Sequence, residues 1–275
     1  MADKPASMSN LQQRVLTGLL GGFIFIAGIW FNEWSFGVLF LGLTFLGMLE
    51  FYKLVADKGF APNHNLGVLL GTGLFILIFL IQKGLIHSHL LFLLPPVLML
   101  TLIAELFRKK EKPFINTALT YLGVFYVAAP FAMLNLLGFF NGDYSGYLIL
   151  GIVVLIWTAD TGAYFSGKAL GRNKLFERIS PGKTWEGWLG GTLLSGVVAY
   201  VLSRYLPELD LGHWLGVAAI VSVFGVLGDL VESMLKRSMG VKDSGTLLPG
   251  HGGILDRFDS LLMVVPFVVA FLKVF

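Results

Sequence analysis

The chain has 275 residues, of which 56% are hydrophobic and only 13% are charged, and its mean hydropathy is +0.78. Apolar runs of about 18 residues or more recur from end to end, which is typical of an integral membrane protein and excludes an ordinary soluble domain. The chain has no cysteine, so disulfides and thiolate metal sites are excluded.

Nine apolar runs of roughly 20 residues predict an all-α integral membrane protein with about nine transmembrane helices. The runs span residues 15–31, 34–55, 66–82, 89–107, 115–139, 145–170, 187–206, 213–235 and 258–274. The segment MADKPASMSNLQQR lacks a clear cleavage site, so the first run is predicted to be a retained helix and not a signal peptide. Pro95-Pro96 and Pro130 are predicted to kink the fourth and fifth spans.

The basic residues predict how the helices are oriented. Of the 20 Lys and Arg residues, all except Lys83, Arg204 and Lys273 fall before the first run, in alternate connections between runs, or at the ends of runs that border those connections. Cytoplasmic loops are enriched in Lys and Arg, so the N-terminus is predicted to be cytoplasmic and the C-terminus outside. Residues 1–275 are predicted to form a single membrane domain, in which 1–139 are mainly scaffold helices and 140–275 supply the catalytic helices and loops.

Pairs of glycines four residues apart predict close helix packing. They are Gly18/Gly22, Gly67/Gly71 and Gly187/Gly191. Packing within one subunit is the favoured interpretation, and a homodimer seam is the alternative.

Carboxylates from three predicted helices reach a similar depth near the cytoplasmic side. They are Asp160, Asp229, Glu232, Asp256 and Asp259. Each charge inside a span costs about 3 kcal/mol on insertion scales, so each needs a functional or structural reason. An acidic group beneath a basic rim suits a divalent cation that bridges carboxylates to phosphates, and Mg²⁺ prefers such mixed ligand sets.

These acids are also compatible with two alternative roles. They could form salt bridges within the bundle, for example Asp229 with Lys236 or Glu232 with Arg237. They could also form the proton relay of a transporter, although they lie toward one side of the membrane and not at its midplane.

Two predicted cytoplasmic loops combine glycine and hydroxyl residues with Lys and Arg, as phosphate binding requires. They are SGKALGRNKLFERISPGKTWEGWLGG (166–191) and KRSMGVKDSGTLLPGHGGILDRFDS (236–260). PGKTWEG lacks the glycine spacing of a P-loop, so that motif is rejected. The basic run RKKEK (108–112) is attributed to membrane topology alone.

The segment SMLKRSMGVKDSGTLLPGHGGILDRFD (233–259) resembles the signature of the phosphatidate cytidylyltransferase family, also called CDP-diacylglycerol synthases. WTADTGAYFSGKALGRNK (157–174) and ISPGKTWEG (179–187) also look like family sequence. The resemblance implies a Mg²⁺-dependent reaction, with an associated K⁺, that converts CTP and phosphatidate to CDP-diacylglycerol and pyrophosphate. It also implies that Asp229 and Asp256 bind the metal.

This interpretation divides the candidate residues into two groups. Catalytic roles are predicted for Asp229, Asp256, Lys236, Arg237 and Asp243. Substrate-binding roles are predicted for Asp160, Ser180, Lys183, Thr184, Glu186, Ser233, Lys242, His251, Gly252, Gly253, Arg257 and Asp259.

The predicted partners are CTP, phosphatidate and membrane lipid, and no nucleic acid. The predicted location is the bacterial cytoplasmic (inner) membrane, with the active site facing the cytoplasm. A CTP-dependent lipid-alcohol kinase is the nearest alternative, although no base to deprotonate an alcohol is evident. A cation- or proton-coupled transporter is the alternative of a different class.

Overall fold

The computed structural model describes residues 10–245 and 252–275, and within these it is a bundle of helices. The first half contains α1 (Asn10–Trp30), α2 (Glu33–Ala56), α3 (His64–Gln82), α4 (Leu94–Arg108), α5 (Pro113–Gly123) and α6 (Ala129–Gly138). The second half contains α7 (Tyr147–Leu170), β1 (Lys174–Phe176), β2 (Ser180–Thr184), α8 (Trp185–Tyr205), α9 (Leu211–Ile220), α10 (Val226–Ser238) and α11 (Leu255–Val274).

Several of these helices join into longer ones. A 3₁₀ turn leads into α4, and π-helical turns at Val124–Ala128 and Val221–Gly225 join α5 to α6 and α9 to α10. The described residues therefore form nine continuous helical segments, which lie where the apolar runs predict them. Six of these are long and apolar enough to cross a membrane. The chain is thus a helical membrane protein, while the count of nine spans and the orientation stay predictions.

A short β-hairpin departs from the all-helical prediction. Strands β1 and β2 pair antiparallel, with Lys174 opposite Thr184 and Phe176 opposite Ser180. Pro181 and Gly182 disfavour a helix, and the preceding turn lets the segment fold back on itself. Thr184 then caps α8, since its Oγ1 accepts a hydrogen bond from Gly187 N at 3.1 Å.

The prolines lie where the type of helix changes, and the predicted kinks stay predictions. Pro95 and Pro96 lie in the first turn of α4, where a missing N–H breaks no helical hydrogen bond. Pro130 follows the π-helical turn at Val124–Ala128, which widens the helix just before the proline ring. The fifth predicted span therefore remains one continuous helical segment.

Glycines of two of the three predicted pairs allow helices to approach closely within the subunit, whereas a Cβ at Gly22 of the third pair would meet no atom within 4 Å. A Cβ at Gly162 of α7 would lie 3.0 Å from Gly191 Cα of α8, and a Cβ at Gly71 would lie 2.9 Å from Met48 Cε. A Cβ at Gly67 would overlap the Tyr52 ring, whose hydroxyl donates to Thr120 O at 2.6 Å. The close contact of α7 with α8 brings Asp160 and the hairpin to the same end of the bundle.

The second π-helical turn fixes the position of α10. Its Ser222 carbonyl accepts from Trp188 Nε1 of α8 at 2.8 Å, and its Gly225 carbonyl accepts from Ser260 Oγ of α11 at 3.1 Å. A Cβ at Gly228 would lie 2.6 Å from Asp259 O, so α10 and α11 touch through their backbones. Helices α7 and α10 end, and α8 and α11 begin, at the same end of the bundle as the hairpin. We call this the polar end.

The orientation can be tested with single cysteines in this cysteine-free chain. Glu177 in the hairpin turn and Asp143 in the connection before α7 are both exposed. The charge distribution predicts that Glu177→Cys reacts with an impermeant thiol reagent only after the cells are permeabilised, and that Asp143→Cys reacts in intact cells. Labelling of Glu177→Cys in intact cells would reverse the predicted orientation.

Candidate active site

A cavity of about 1150 Å³ opens at the polar end, between α1, α2, α7, α8, α10, α11 and the hairpin. Its polar wall contains eight of the predicted site residues: Asp160, Ser180, Lys183, Thr184, Asp229, Asp256, Arg257 and Asp259. Residues that are up to about 100 positions apart in sequence are therefore gathered around one space, which brings the predicted carboxylates together with residues of both predicted phosphate-binding loops.

The opposite wall of the cavity is apolar. Glycines and large apolar side chains from α1 and α2 form it, including Gly21, Gly22, Phe25, Leu39 and Leu43. A Cβ added at Gly21 or Gly22 would meet no atom within 4 Å, so this part of α1 presents a smooth surface. The cavity thus has one side suited to charged groups and one suited to hydrocarbon.

Three carboxylates at the polar end lie close enough together to share a metal ion. Asp229, Glu232 and Asp259 each offer an oxygen within 4.8 Å of the other two. Glu232 is only 1% exposed, and its Oε1 has no hydrogen-bond partner among the described residues. A buried carboxylate oxygen without a donor is well placed to bind a cation.

Two lysines neutralise part of this acidic group. Lys183 Nζ lies 2.6 Å from Asp229 Oδ2. Lys236 Nζ lies 2.7 Å from Asp256 Oδ1 and 2.5 Å from Glu232 Oε2, although the latter contact lacks the geometry of a hydrogen bond. Salt bridges therefore do form within the bundle, but with partners other than the Asp229–Lys236 and Glu232–Arg237 pairs considered from the sequence.

Asp256 has different hydrogen-bond partners from Asp229. Besides Lys236, it accepts hydrogen bonds from Ser244 N at 3.1 Å and Gly253 N at 2.7 Å. Gly252 has φ of +83°, and a Cβ there would lie 2.7 Å from Asp256 Oδ2, so glycine is required on both grounds. Asp256 is not part of the three-carboxylate group, and its role as a metal ligand stays a prediction.

Ser233 of α10 also lies at the polar end. Its Oγ donates to Asp229 Oδ1 at 3.2 Å, one helical turn away. The hydroxyl therefore helps to orient the carboxylate that also faces Lys183.

Some predicted residues are not among those that line the cavity. Arg237, Lys242 and Asp243 are exposed at and beyond the end of α10. Glu186 accepts hydrogen bonds from Arg172 N at 3.1 Å and Asn173 N at 3.2 Å, and these lower its pKa to about 2. Glu186 thus fixes the start of the hairpin, while His251 lies outside the described residues.

One functional candidate is absent from the residues predicted from the sequence. Glu50 of α2 is buried, and its carboxylate accepts hydrogen bonds from Ile254 N at 2.8 Å and Leu255 N at 3.0 Å. It is an acid inside a predicted span, so the reasoning applied to Asp160 could have identified it. Its position in the half of the chain that is predicted to be scaffold is the reason for its absence.

Sequence comparisons agree with this geometry. Residues 12–275 match the model of the family described as "Cytidylyltransferase family". The chain is 37% identical over 278 residues to the phosphatidate cytidylyltransferase of Bacillus subtilis (strain 168), covering 98% of this chain and 100% of that protein. It is 34% identical over 280 residues to the phosphatidate cytidylyltransferase of Haemophilus influenzae (strain ATCC 51907 / DSM 11121 / KW20 / Rd), covering 94% and 96% of the two chains.

A third relative matches over a shorter stretch. The phosphatidate cytidylyltransferase of Staphylococcus aureus (strain COL) is 45% identical over 161 residues, which is 58% of this chain and 60% of that protein. Together with a family match that covers nearly the whole sequence, these similarities show that the chain belongs to the cytidylyltransferase family.

Proposed function

We propose that the protein transfers the cytidylyl group of CTP to phosphatidate and releases CDP-diacylglycerol and pyrophosphate. The observation that carries this proposal is the two-sided cavity, whose polar wall suits phosphates and whose apolar wall suits acyl chains. The names of the relatives support the same reaction. They give no support to a lipid-alcohol kinase or a transporter.

The chemistry requires positioning and charge neutralisation more than a base. A phosphate oxygen of phosphatidate attacks the α-phosphorus of CTP, a new P–O bond forms, and the bond to pyrophosphate breaks in line. The attacking phosphate is already an anion, so no strong general base is needed. The protein must hold two highly charged molecules together and stabilise the charge on the leaving pyrophosphate.

The residues of the polar wall, together with neighbours that do not line the cavity, can meet these demands. Lys183 and Arg257 offer positive charge to the phosphates, and Ser180 and Thr184 offer hydroxyl groups from the hairpin. Lys236 neutralises Glu232 and Asp256, and Ser233 orients Asp229. Arg237, Lys242 and Asp243, being exposed, are proposed to meet the triphosphate as it enters.

The acidic group fits a divalent cation. Asp229, Glu232 and Asp259 supply oxygen donors that Mg²⁺ favours, and the oxygen of Glu232 without a donor is the observation that supports this assignment. When bound, Mg²⁺ would neutralise the phosphates and polarise the bond to the leaving group. Participation of Asp256, and of K⁺ beside Mg²⁺, is proposed on the family resemblance.

The cell location and assembly are also proposals. The distribution of basic residues supports an active site that faces the cytoplasm, and the bacterial relatives support the inner membrane. A homodimer stays a prediction.

Product analysis with purified protein tests the reaction directly. We expect CTP labelled in its cytidine to yield labelled CDP-lipid when phosphatidate is supplied in detergent or vesicles. Labelled free CDP together with a phosphorylated lipid would indicate a kinase. Absence of any product from folded protein would reject the proposed function.

The metal assignment predicts the effect of removing single charges. Asp229→Asn, Glu232→Gln, Asp259→Asn and Asp256→Asn retain size but lose the negative charge. Each of the first three should lower kcat at least ~100-fold, the scale of losing one principal electrostatic stabiliser, and should weaken Mg²⁺ binding followed by calorimetry. The same kcat loss for Asp256→Asn, with Mg²⁺ affinity reduced, would add Asp256 to the ligands. Folded Asp229→Asn protein with activity within a fewfold of wild type would exclude Asp229.

A substitution that preserves the charge of Arg257 can distinguish a role in phosphate binding from a role in membrane topology alone. Arg257→Lys retains one positive charge, but a compact ammonium cannot reproduce the two-pronged donor geometry of a guanidinium. We expect kcat/KM for CTP to fall at least ~10-fold while membrane insertion is unchanged. The matched control is Lys109→Arg in the RKKEK segment, which should have no effect. Equal activities of the two variants would contradict the phosphate contact.

A further inference from the structure

The loop between α10 and α11 is closed at its base by two carboxylates. Asp256 accepts from Ser244 N and Gly253 N, at opposite ends of the loop. Glu50 of α2 accepts from Ser244 Oγ at one end, and from Ile254 N and Leu255 N at the other. Ser244 is therefore bound by both carboxylates, and this arrangement is called the loop clamp.

Glu50 contributes to the loop clamp from α2, which lies outside the half of the chain that is predicted to be catalytic. It is 7% exposed and forms no salt bridge within the part of the chain that the structure describes. Its charge is stabilised by two backbone N–H groups at the start of α11 and by one hydroxyl. N–H groups at a helix N-terminus stabilise a negative charge, so Glu50 acts as a cap that a different helix supplies to α11.

The carboxylate of Glu50 also explains why two positions of the loop are glycine. A Cβ at Gly245 would lie 2.7 Å from Glu50 Oε2, and a Cβ at Gly253 would overlap the carboxylate group of Glu50. Larger residues at either position would force Glu50 away from Ser244 and α11. The second glycine of the His251-Gly252-Gly253 segment is thus required by a residue about 200 positions earlier in the chain.

We propose that Glu50 is a positioning residue for the reaction, which acts by holding the base of the loop between α10 and α11 against α2. This inference rests on the proposed function, since it assumes that the loop binds CTP. Glu50 fixes Ser244, and Ser244 shares Asp256 with Gly253 and Lys236. Loss of Glu50 therefore loosens the segment that carries Lys242 and Asp243, and the first turn of α11 that carries Arg257.

The test uses Glu50→Gln in the full-length protein. Glutamine has the same size, but its amide NH₂ group would face at least one donor that now binds a carboxylate oxygen. We expect kcat/KM for CTP to fall at least ~10-fold, while KM for phosphatidate stays within about twofold of wild type. A residue needed only for stability would reduce the folded fraction without separating the two substrates.

A second measurement detects the clamp itself. Hydrogen exchange of the Ile254 and Leu255 amides should be at least ~10-fold faster in Glu50→Gln than in wild type, and exchange in α3 should be unchanged. This measurement needs no catalysis, so it still reports on the clamp if the proposed reaction is wrong. In that event wild type would produce no CDP-lipid, which identifies the failure as that of the proposed function.

Two further variants serve as controls. Glu105→Gln removes another buried carboxylate, which pairs with Arg108 at 2.8 Å and does not line the cavity. It should leave KM for CTP within twofold of wild type. Ser244→Ala should reproduce part of the Glu50→Gln effect, and the double variant should lose less than the sum of the two, because both act through one contact.

Several outcomes would overturn the proposal. Unchanged exchange at Ile254 and Leu255 in Glu50→Gln would show that Glu50 does not hold the loop. Faster hydrogen exchange at Ile254 and Leu255 with an unchanged kcat/KM for CTP would show that the clamp does not position the nucleotide. If Glu50→Gln fails to fold, Ser244→Ala decides the matter by the same two measurements, and constants for CTP equal to those of wild type would overturn the proposal.

Discussion

An ionised carboxylate in the apolar interior of a membrane protein is costly unless a cation or several hydrogen-bond donors neutralise it. At the polar end the partners of the acids account for most of the arrangement. Lys183 faces Asp229, Lys236 lies between Glu232 and Asp256, and the start of α11 donates to Glu50. The Glu232 oxygen that receives no donor among the described residues is then the natural place for an external cation.

The arrangement of helices follows from this requirement together with small residues. Gly162 and Gly191 let α7 approach α8, and Gly228 lets α10 touch α11, so that carboxylates on separate helices can reach each other. The π-helical turn before α10 contributes two carbonyls that bind α8 and α11. Backbone contacts of this kind fix the positions of the helices relative to one another. The charged side chains can pair only if these positions are fixed.

Much of the fold and part of the site could be predicted from the sequence. Apolar run length identified the helical segments, and the depth of the charges within the runs identified Asp160, Asp229 and Asp259, which do line one cavity. The hairpin was not predicted, because its strands are three and five residues long and lack an alternating pattern. The contact of Glu50 with Ser244 joins residues 194 positions apart, and no local pattern encodes such a pairing.

The wall that α1 contributes to the cavity bears on how a lipid would move through the enzyme. Gly21 and Gly22 leave that wall smooth, and the neighbouring side chains of α1 and α2 are apolar. In the proposed reaction the acyl chains would slide along this surface, and only the headgroup would turn toward the carboxylates. Substrate and product share the same acyl chains, so the one apolar wall would accommodate both, and the protein would need no separate surface for its product.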